Sequence, residues 1–408
     1  MKLECGARAA AALIGLSAST MGCAARLAPA AAAPASLGAH AVGVTRVEVP
    51  DPEGFRRLTV EVWYPAAAPA DGPPVVYEIE ALGLVAARIG SIANAHRDVP
   101  PLRSEGPRPL VLFSHGRGST RFANASLSEV LASHGYVVAA PDHPGHTMED
   151  ELAGIGDVER SESAFDRPRD LSRVIDDLAA RSSRADSAFA DLVDLSRVAV
   201  AGHSFGALAA LGLTGAGFDA ARQRQECTIA HDDWRCAAVS VFGAEPYRYR
   251  DARVKAALLI SPAGFDLYRA DGVAQVDAPT LVVGAHLDAE NPFDAFARPT
   301  FDALTSPRYL LDLPQAGHLT ATNVCDVIDS IGFVAKAFGG RGARDGCGGA
   351  YSPRDALEDV ASAALPFLDL YLNGESEAAE PLRVAIESAG RGPRAIAAAG
   401  GAGRGAAR

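Results

Sequence analysis

The stretch from Arg197 to Leu208 reads RVAVAGHSFGAL. Its first part is an apolar run typical of a β-strand, and its last part continues into an Ala- and Leu-rich helix pattern. Between them, Gly202–Gly206 matches the pattern G-x-S-x-G. In this strand–turn–helix context the serine sits on a strained turn, and the two glycines remove side chains that would collide with neighbouring backbone. The spacing therefore predicts Ser204 as an accessible nucleophile.

Strands and helices alternate on both sides of this stretch. Short apolar runs of the kind that form buried parallel strands lie at Leu110–Ser114, Tyr136–Pro141, Val198–Ala201, Ala256–Ile260, Thr280–Val283 and Tyr309–Leu313. Between the second and third runs, a helix is indicated by apolar residues spaced i, i+3, i+4 and i+7, namely Leu171, Val174, Ile175 and Leu178. The alternation predicts an α/β fold with a mostly parallel central sheet and helices on both faces.

Two earlier runs have a different pattern. Val44–Val49 and Leu58–Tyr64 alternate apolar and polar residues, as the paired strands of an antiparallel hairpin do. We therefore expect an N-terminal antiparallel hairpin beside the parallel sheet.

Composition and periodicity divide the chain into three parts. Residues 1–38 hold an export signal and an Ala/Pro-rich linker, and residues 39–373 form the α/β domain, which ends in a helix at about Pro353–Leu372. Residues 374–408 are an Ala/Gly/Arg-rich tail that we expect to be disordered. Inside the domain, residues 78–104 show helical spacing, which predicts either a lid insertion or a core helix.

The first residues have the layout of a bacterial export signal. Lys2 and Arg8 accompany an apolar run, Ala9–Leu16, that is too short to span a bilayer. Gly22 and Cys23 then stand where a lipoprotein signal would be cut and lipidated. We expect an exported protein that is periplasmic, secreted or lipid-anchored in a bacterial envelope, with lipidation of Cys23 and ordinary secretory cleavage both open.

The body of the chain holds four cysteines, which fits an exported protein with two disulfides. Three pairings are open, and proximity along the chain favours Cys227–Cys236 and Cys325–Cys347. None of the four stands in a C-x₂-C arrangement with nearby histidines. His143 and His146 lie in an Asp-His-Pro-Gly-His segment, which we interpret as a solvated loop. We expect no metal and no organic cofactor.

A serine nucleophile needs a base, and the base needs an orienting group. Asp288 and His318 each follow one of the last two predicted strands. The carboxyl ends of parallel strands meet at one edge of a sheet, where Ser204 also lies. The sequence therefore predicts Ser204, Asp288 and His318 as catalytic residues. Asp266, which follows the preceding strand, is the competing acid.

An oxyanion hole requires two backbone N–H groups aimed at the charge that develops on the substrate carbonyl oxygen. One is expected from Phe205, directly after the nucleophile. The other is expected from Arg117, in the loop Ser114–Gly118 that follows a buried strand. We interpret His115 in this loop as structural.

Several segments carry a resemblance to a known superfamily. They read VEVWYP, LFSHGRGS, LASHGYVVAAPDHPGHT, AGHSFGAL, PTLVVGAHLD and LPQAGHL at Val60–Pro65, Leu112–Ser119, Leu131–Thr147, Ala201–Leu208, Pro279–Asp288 and Leu313–Leu319. In this order they resemble the α/β-hydrolase superfamily, and more closely the bacterial predicted dienelactone hydrolases. Those proteins are similar to platelet-activating-factor acetylhydrolases and to cutinase-like polyester hydrolases.

The resemblance implies carboxylic-ester hydrolysis with Ser204, Asp288 and His318 as a triad. True dienelactone hydrolases use a cysteine nucleophile, so the serine at position 204 argues against a dienelactone as the substrate. The acetylhydrolases place their acid earlier in the chain, which leaves Asp266 open as the competing acid.

Taken together, these features predict a serine esterase that acts through an acyl-enzyme on short-chain esters. An acyltransferase that uses the same acyl-enzyme is one alternative, and a non-catalytic exported binding protein is another. The net charge is −12, with acidic and basic residues interleaved, which argues against a nucleic-acid partner. The expected partner is a small-molecule ester.

Overall fold

A computed structural model gives the structure of the chain. It describes residues 37–51, 56–68, 71–81, 84–154, 157–228, 234–237, 247–328, 346–347 and 351–389. The expected export signal and Cys23 lie outside the described residues.

Among the described residues, the N-terminal half contains seven strands and three helices. The strands are β1 (Val42–Val49), β2 (Leu58–Pro65), β3 (Val76–Ala81), β4 (Leu84–Gly90), β5 (His96–Arg97), β6 (Arg108–Ser114) and β7 (Val137–Pro141). The helices are α1 (Ala125–Ser133), α2 (Met148–Ala153) and α3 (Asp157–Ser182).

The remaining described strands are β8 (Val193–His203), β9 (Gly217–Phe218), β10 (Tyr247–Arg248), β11 (Val254–Ile260), β12 (Thr280–Ala285) and β13 (Arg308–Leu313). The helices are α4 (Phe205–Leu213), α5 (Ala220–Cys227), α6 (Trp234–Ala237), α7 (Phe265–Val273), α8 (Ala297–Ala303), α9 (Pro353–Leu368) and α10 (Ala379–Ser388). A π-helical turn, Asp369–Asn373, and a 3₁₀ turn, Ser376–Ala378, join the last two helices.

One nine-stranded sheet organises the fold, in the order β13-β12-β11-β8-β6-β7-β2-β1-β5. From β13 to β7 neighbouring strands are parallel, whereas β2 pairs antiparallel with both β7 and β1. The predicted α/β sheet with its N-terminal antiparallel hairpin is confirmed.

The sheet buries a core on each face. Along β6, Val111 and Phe113 belong to one core, and Leu110 and Leu112 belong to the other. Successive side chains of a strand point to opposite faces, so a continuous apolar run marks a strand covered on both sides. Residues of α1 and α9 contribute to the first core, and residues of α3 and α4 to the second. Among the described residues, no helix has both the length and the hydropathy to cross a membrane.

The helical expectation for residues 78–104 is wrong. Here β3 and β4 form a separate two-stranded antiparallel sheet. Tyr77 and Ile79 are buried on one strand, and Ala87 and Ile89 on the other. Buried residues at every second position require an extended strand, because a helix would turn them to different faces. The helical spacing in this segment arose by chance.

The disorder expected from residue 374 onward is also wrong as far as residue 389. Helix α10 packs against α9 and buries Leu382 and Ala385. These residues are three apart and therefore share one helix face. The apolar stripe is narrow, and the alanine-rich composition concealed it. Residues 390–408 lie outside the described part of the chain.

Both favoured disulfides are present. Cys227 is bonded to Cys236, and Cys325 is bonded to Cys347. Such bonds persist in oxidising compartments, so they are compatible with an exported protein.

Candidate active site

The turn at Ser204 has the geometry that the G-x-S-x-G pattern predicts. Ser204 adopts φ 54° and ψ −117°, a strained conformation for a residue with a side chain. A Cβ atom at Gly202 would lie 2.2 Å from the Gly206 carbonyl, and a Cβ at Gly206 would lie 1.8 Å from the Ser114 carbonyl oxygen. Only glycine fits at either position, because both obstacles are backbone.

Backbone hydrogen bonds hold this turn against the next strand. The Ser204 N–H donates to the Ile260 carbonyl at 3.0 Å, and the Ser204 carbonyl accepts from the N–H groups of Ala207 and Ala263. Helix α4 begins at Phe205, so the first N–H groups of a helix follow the serine directly. The N-terminus of a helix favours negative charge, which suits an oxyanion.

His318 and Asp288 are in direct contact. His318 Nδ1 lies 2.7 Å from Asp288 Oδ2. Ser204 is 6% exposed, and His318 and Asp288 are each 4% exposed. The second carboxylate oxygen of Asp288 accepts from the backbone N–H groups of Glu290 and Asn291, at 2.9 and 2.7 Å. The acid is therefore fixed, and its contact with Nδ1 leaves Nε2 of a neutral imidazole as the proton acceptor.

The competing acid lies elsewhere. Asp266 is in the first turn of α7, and its carboxylate is 3.7 Å from the Arg235 guanidinium. Its backbone carbonyl also accepts a hydrogen bond from Arg235. Of the two acids, the structure brings Asp288 to His318.

His203 links the serine turn to the histidine loop. Its Nε2 donates to the His318 carbonyl at 2.8 Å, and the centroids of the two rings are 4.8 Å apart. Burial, reinforced by the neighbouring His318, lowers the pKa of His203 to about 3. His203 is therefore neutral at physiological pH and acts as a fixed donor. The position of His203 inside the G-x-S-x-G pattern gives no sign of this role, because the contact joins segments 115 residues apart.

The loop predicted to supply an oxyanion donor lies beside the serine. A Cβ at Gly116 would lie 3.5 Å from the Ser204 Cβ and 3.0 Å from His203 Nδ1. The absence of a side chain at Gly116 thus permits this close approach. The Arg117 side chain is half exposed and extends over the Phe205 ring, with Cζ 5.7 Å from its centroid.

The interpretation of His143 and His146 as a solvated loop is wrong, because both side chains are buried. His143 contacts Ser114 and Asp170, and His146 accepts a hydrogen bond from Arg167 at 3.0 Å. The polar residues of α3 fold over this loop and exclude water from it. The His146 carbonyl accepts from the Gly118 N–H at 2.9 Å, which ties the loop to the candidate oxyanion segment.

Arg167 and Asp170 were not predicted as site residues, although their positions in the helical register of α3 indicate burial. Leu171 and Val174 belong to the apolar stripe of α3, and Arg167 and Asp170 precede them by four residues each. They therefore continue the buried face of the helix. Charged residues in a core-facing register are rarely buried unless they are paired, and here both are fully buried.

The sheet order, the strained serine turn and the buried Asp–His pair define the class. The chain belongs to the α/β-hydrolase superfamily. Two family models match parts of it: "Platelet-activating factor acetylhydrolase, isoform II" over residues 32–152, and "Serine aminopeptidase, S33" over residues 105–226.

Individual relatives agree with this class. The chain is 29% identical to the platelet-activating factor acetylhydrolase of dog (Canis lupus familiaris) over 36% of its own length and 39% of that protein. It is 30% identical to the bovine (Bos taurus) protein over 35% of its length and 37% of that protein. The chain thus spans well under half of these relatives.

A solved structure covers more of the chain. Ferulic acid esterase from Streptomyces cinnamoneus superposes with a TM-score of 0.58 at 26% sequence identity. The alignment covers 84% of this chain and 93% of the esterase.

Proposed function

We propose that this chain is a serine-dependent carboxylic ester hydrolase with Ser204 as nucleophile, His318 as general base and acid, and Asp288 as the orienting group. The observation that carries the proposal is the buried 2.7 Å contact between His318 and Asp288, at the sheet edge that presents the strained Ser204 turn. The names of the similar proteins, an acetylhydrolase and a ferulic acid esterase, support ester hydrolysis.

In the first half-reaction, His318 Nε2 accepts the hydroxyl proton of Ser204 while Oγ forms a bond to the ester carbonyl carbon. The carbonyl oxygen gains the negative charge and is held by the N–H groups of Arg117 and Phe205. The carbonyl then re-forms, the bond to the alcohol oxygen breaks, and His318 returns the proton to the leaving alcohol. Asp288 stabilises the imidazolium without taking its proton.

In the second half-reaction, water replaces the alcohol. His318 removes a proton from water, the hydroxide oxygen bonds to the acyl carbon, and the same N–H groups hold the oxyanion. Collapse of this intermediate breaks the bond to Ser204 Oγ, which recovers its proton from His318. The products are the carboxylic acid and the regenerated enzyme.

Short-chain esters are the substrates we propose. The low exposure of Ser204 favours small acyl groups, and the name of the acetylhydrolase relatives points the same way. The test is a series of p-nitrophenyl esters from acetate to laurate, measured on the full chain. We expect kcat/KM to be highest for acetate and butyrate and to fall for longer chains. A maximum at laurate would contradict the substrate class while leaving the ester hydrolysis intact.

Variants test the roles of the residues. Ser204→Ala is expected to lower kcat by about 10⁶-fold and Asp288→Asn by about 10⁴-fold, the scales seen when the nucleophile or the acid of a triad is removed. Asp266→Asn is the matched control, since it removes one carboxylate that contacts Arg235 instead of His318. It should retain wild-type kcat within about twofold, because its carboxylate lies against Arg235 while Asp288 is the acid that contacts His318. A large loss in Asp266→Asn without one in Asp288→Asn would overturn the assignment of the acid.

We also propose that the protein acts outside the cytoplasm, in a bacterial envelope or beyond it. The two disulfides and the signal-like first residues support this location. Expression with the native leader, followed by fractionation and intact mass measurement, tests it. A lipidated mass that Cys23→Ala abolishes would indicate a lipid anchor. An unprocessed chain in the cytoplasmic fraction would contradict export.

A further inference from the structure

Arg167 is a fully buried arginine whose guanidinium faces the candidate oxyanion loop. Nη1 donates to the His115 carbonyl and lies 3.4 Å from Ser114 Oγ, and Nη2 donates to the Gly116 carbonyl at 3.3 Å. Nε donates to His146 Nδ1 at 3.0 Å. Burial lowers the pKa of Arg167 to about 9, so it remains a cation at neutral pH. A buried cation is costly unless each of its donors is used, and here Nε, Nη1 and Nη2 all have acceptors.

The acceptors matter because of the peptide units they belong to. The Gly116 carbonyl and the Arg117 N–H are opposite ends of one planar, trans peptide, so they point in opposite directions. A cation that holds this carbonyl oxygen on one side fixes the N–H on the other. A Cβ at Gly116 would lie 3.5 Å from the Ser204 Cβ, so this peptide lies beside the nucleophile. In the same way, the bond from Arg167 to the His115 carbonyl fixes the direction of the Gly116 N–H, which belongs to the same peptide.

A second donor acts on the same carbonyl. His115 Nε2 accepts from the His143 backbone N–H at 3.1 Å, so its proton must be on Nδ1. Nδ1 then donates to the Gly116 carbonyl at 2.7 Å. Burial and the Arg167 charge hold the pKa of His115 well below its usual range, which keeps the ring neutral and preserves this tautomer.

The arginine lies beside a buried chain of polar groups. Ser114 Oγ is 2.9 Å from His143 Nε2, and His143 Nδ1 is 2.9 Å from Asp170 Oδ2. Asp170 accepts from Arg56 through both of its carboxylate oxygens. Arg167 and Asp170 are both on α3, so one helix presents both charges to the loop. Such a network restricts the guanidinium to one position.

We propose that Arg167 is a positioning residue that holds the Gly116–Arg117 peptide with its N–H toward Ser204, so that the oxyanion hole exists before substrate binds. This inference rests on the proposed ester hydrolysis. It assigns to Arg167 an action through the backbone, without contact with the substrate. Donors that are aimed in advance need no reorganisation during the reaction, which is the source of their effect on rate.

The test compares Arg167→Lys and Arg167→Gln with Arg169→Gln. Arg169 is two residues along the same helix and 59% exposed, so its replacement removes one arginine without touching the loop. The measurements are kcat and KM for p-nitrophenyl acetate per titrated active site, and Ki for a trifluoromethyl ketone. That inhibitor forms a hemiketal oxyanion on a catalytic serine and reports oxyanion stabilisation directly.

Both Arg167 variants should lose about 10²- to 10³-fold in kcat, the effect of losing one oxyanion donor. KM should change by less than about threefold, because the interaction is made only in the transition state. Ki for the ketone should rise by a factor close to the loss in kcat. Arg169→Gln should match the wild type in all three. If an Arg167 variant has fewer active sites per molecule than the wild type but the same kcat per active site, the role of Arg167 is merely structural and the inference is overturned.

A measurement on the wild type tests the inference even if the Arg167 variants fail to fold. In a crystal structure of the ketone adduct, the hemiketal oxygen should lie within hydrogen-bond distance of the Arg117 N–H while the Gly116 carbonyl remains on Arg167. A carbonyl turned away from Arg167 would overturn the inference. Wild-type enzyme that neither hydrolyses the ester nor binds the ketone would overturn the proposed function and this inference together. Wild-type turnover without a selective loss at Arg167 would overturn the inference alone.

Discussion

His203 gives the protein a defined dependence of stability on pH. Its pKa is about 3 in the folded state and 6.5 in the unfolded chain. Below pH 6.5 His203 therefore binds a proton in the unfolded state but not in the native state. The free energy of unfolding falls as the pH falls toward 3. Each pH unit in that window costs about 1.4 kcal/mol, because one pKa unit corresponds to that energy.

The perturbation that isolates this contribution is His203→Gln. Glutamine does not titrate, and its amide N–H can replace the donor to the His318 carbonyl. Each protein is referred to its own free energy of unfolding at neutral pH. Relative to the variant, the wild type should lose about 1.3 kcal/mol by pH 5.5 and about 2.5 kcal/mol by pH 4.5, both counted from pH 7. Other buried histidines, such as His115 and His143, contribute to both proteins and cancel.

The assay is urea unfolding followed by circular dichroism, with linear extrapolation at each pH. His286→Gln is the control, because it removes a half-exposed histidine whose side chain pairs with Asp312. Parallel pH profiles for the wild type and His203→Gln would contradict this prediction. They would mean that His203 takes up its proton equally in both states, and that burial does not keep it neutral.

Three further predictions concern backbone fit, a disulfide and a buried acid. Gly206→Ala should destabilise the protein by at least about 3 kcal/mol, measured by thermal unfolding, because its Cβ would lie 1.8 Å from the Ser114 carbonyl oxygen and force the backbone apart. Replacing Cys325 and Cys347 by serine should cost about 3 kcal/mol for a loop of 22 residues and should also lower kcat, because this bond lies next to the loop that follows His318, the proposed base. Glu129→Ala should cost about 3 kcal/mol or more, since its buried carboxylate accepts from a tyrosine, a serine and two backbone N–H groups.

Each of these has a matched control. Gly90→Ala adds the same methyl group where no described atom lies within 4 Å of it, and Glu380→Ala removes an exposed carboxylate. The double serine replacement of Cys227 and Cys236 removes the other disulfide. Equal effects in variant and control would show that the burial, the backbone contact or the position of the disulfide has no part in the result.

The local features of the site could be predicted because their causes are local. The turn at Ser204 depends on two glycines that avoid backbone at 1.8 and 2.2 Å, and glycines at that spacing are visible in the sequence. Asp288 follows β12, whose continuous apolar run identifies a buried parallel strand, and His318 follows the edge strand β13. Parallel strands end at one edge, so the topology alone brings these residues to the same region.

The features that the sequence analysis missed depend on contacts between distant segments. His143 and Asp170 are buried because α3 covers the loop that follows β7, and no local pattern in the loop reveals that cover. The hairpin of β3 and β4 carries a period-two pattern that coincidental helical spacing obscured. The only sign of Arg167 in the sequence is a charged residue in the register of an apolar stripe. This register predicts a buried charge only when the helix face is known to be buried.

The most direct test of the central claim is covalent labelling with a fluorophosphonate, followed by peptide mass spectrometry. The wild type should carry a single phosphonyl group, on Ser204, and lose ester hydrolysis in proportion to the labelling. Ser204→Ala should remain unlabelled. A label on another residue, or ester hydrolysis that persists in Ser204→Ala, would contradict the account.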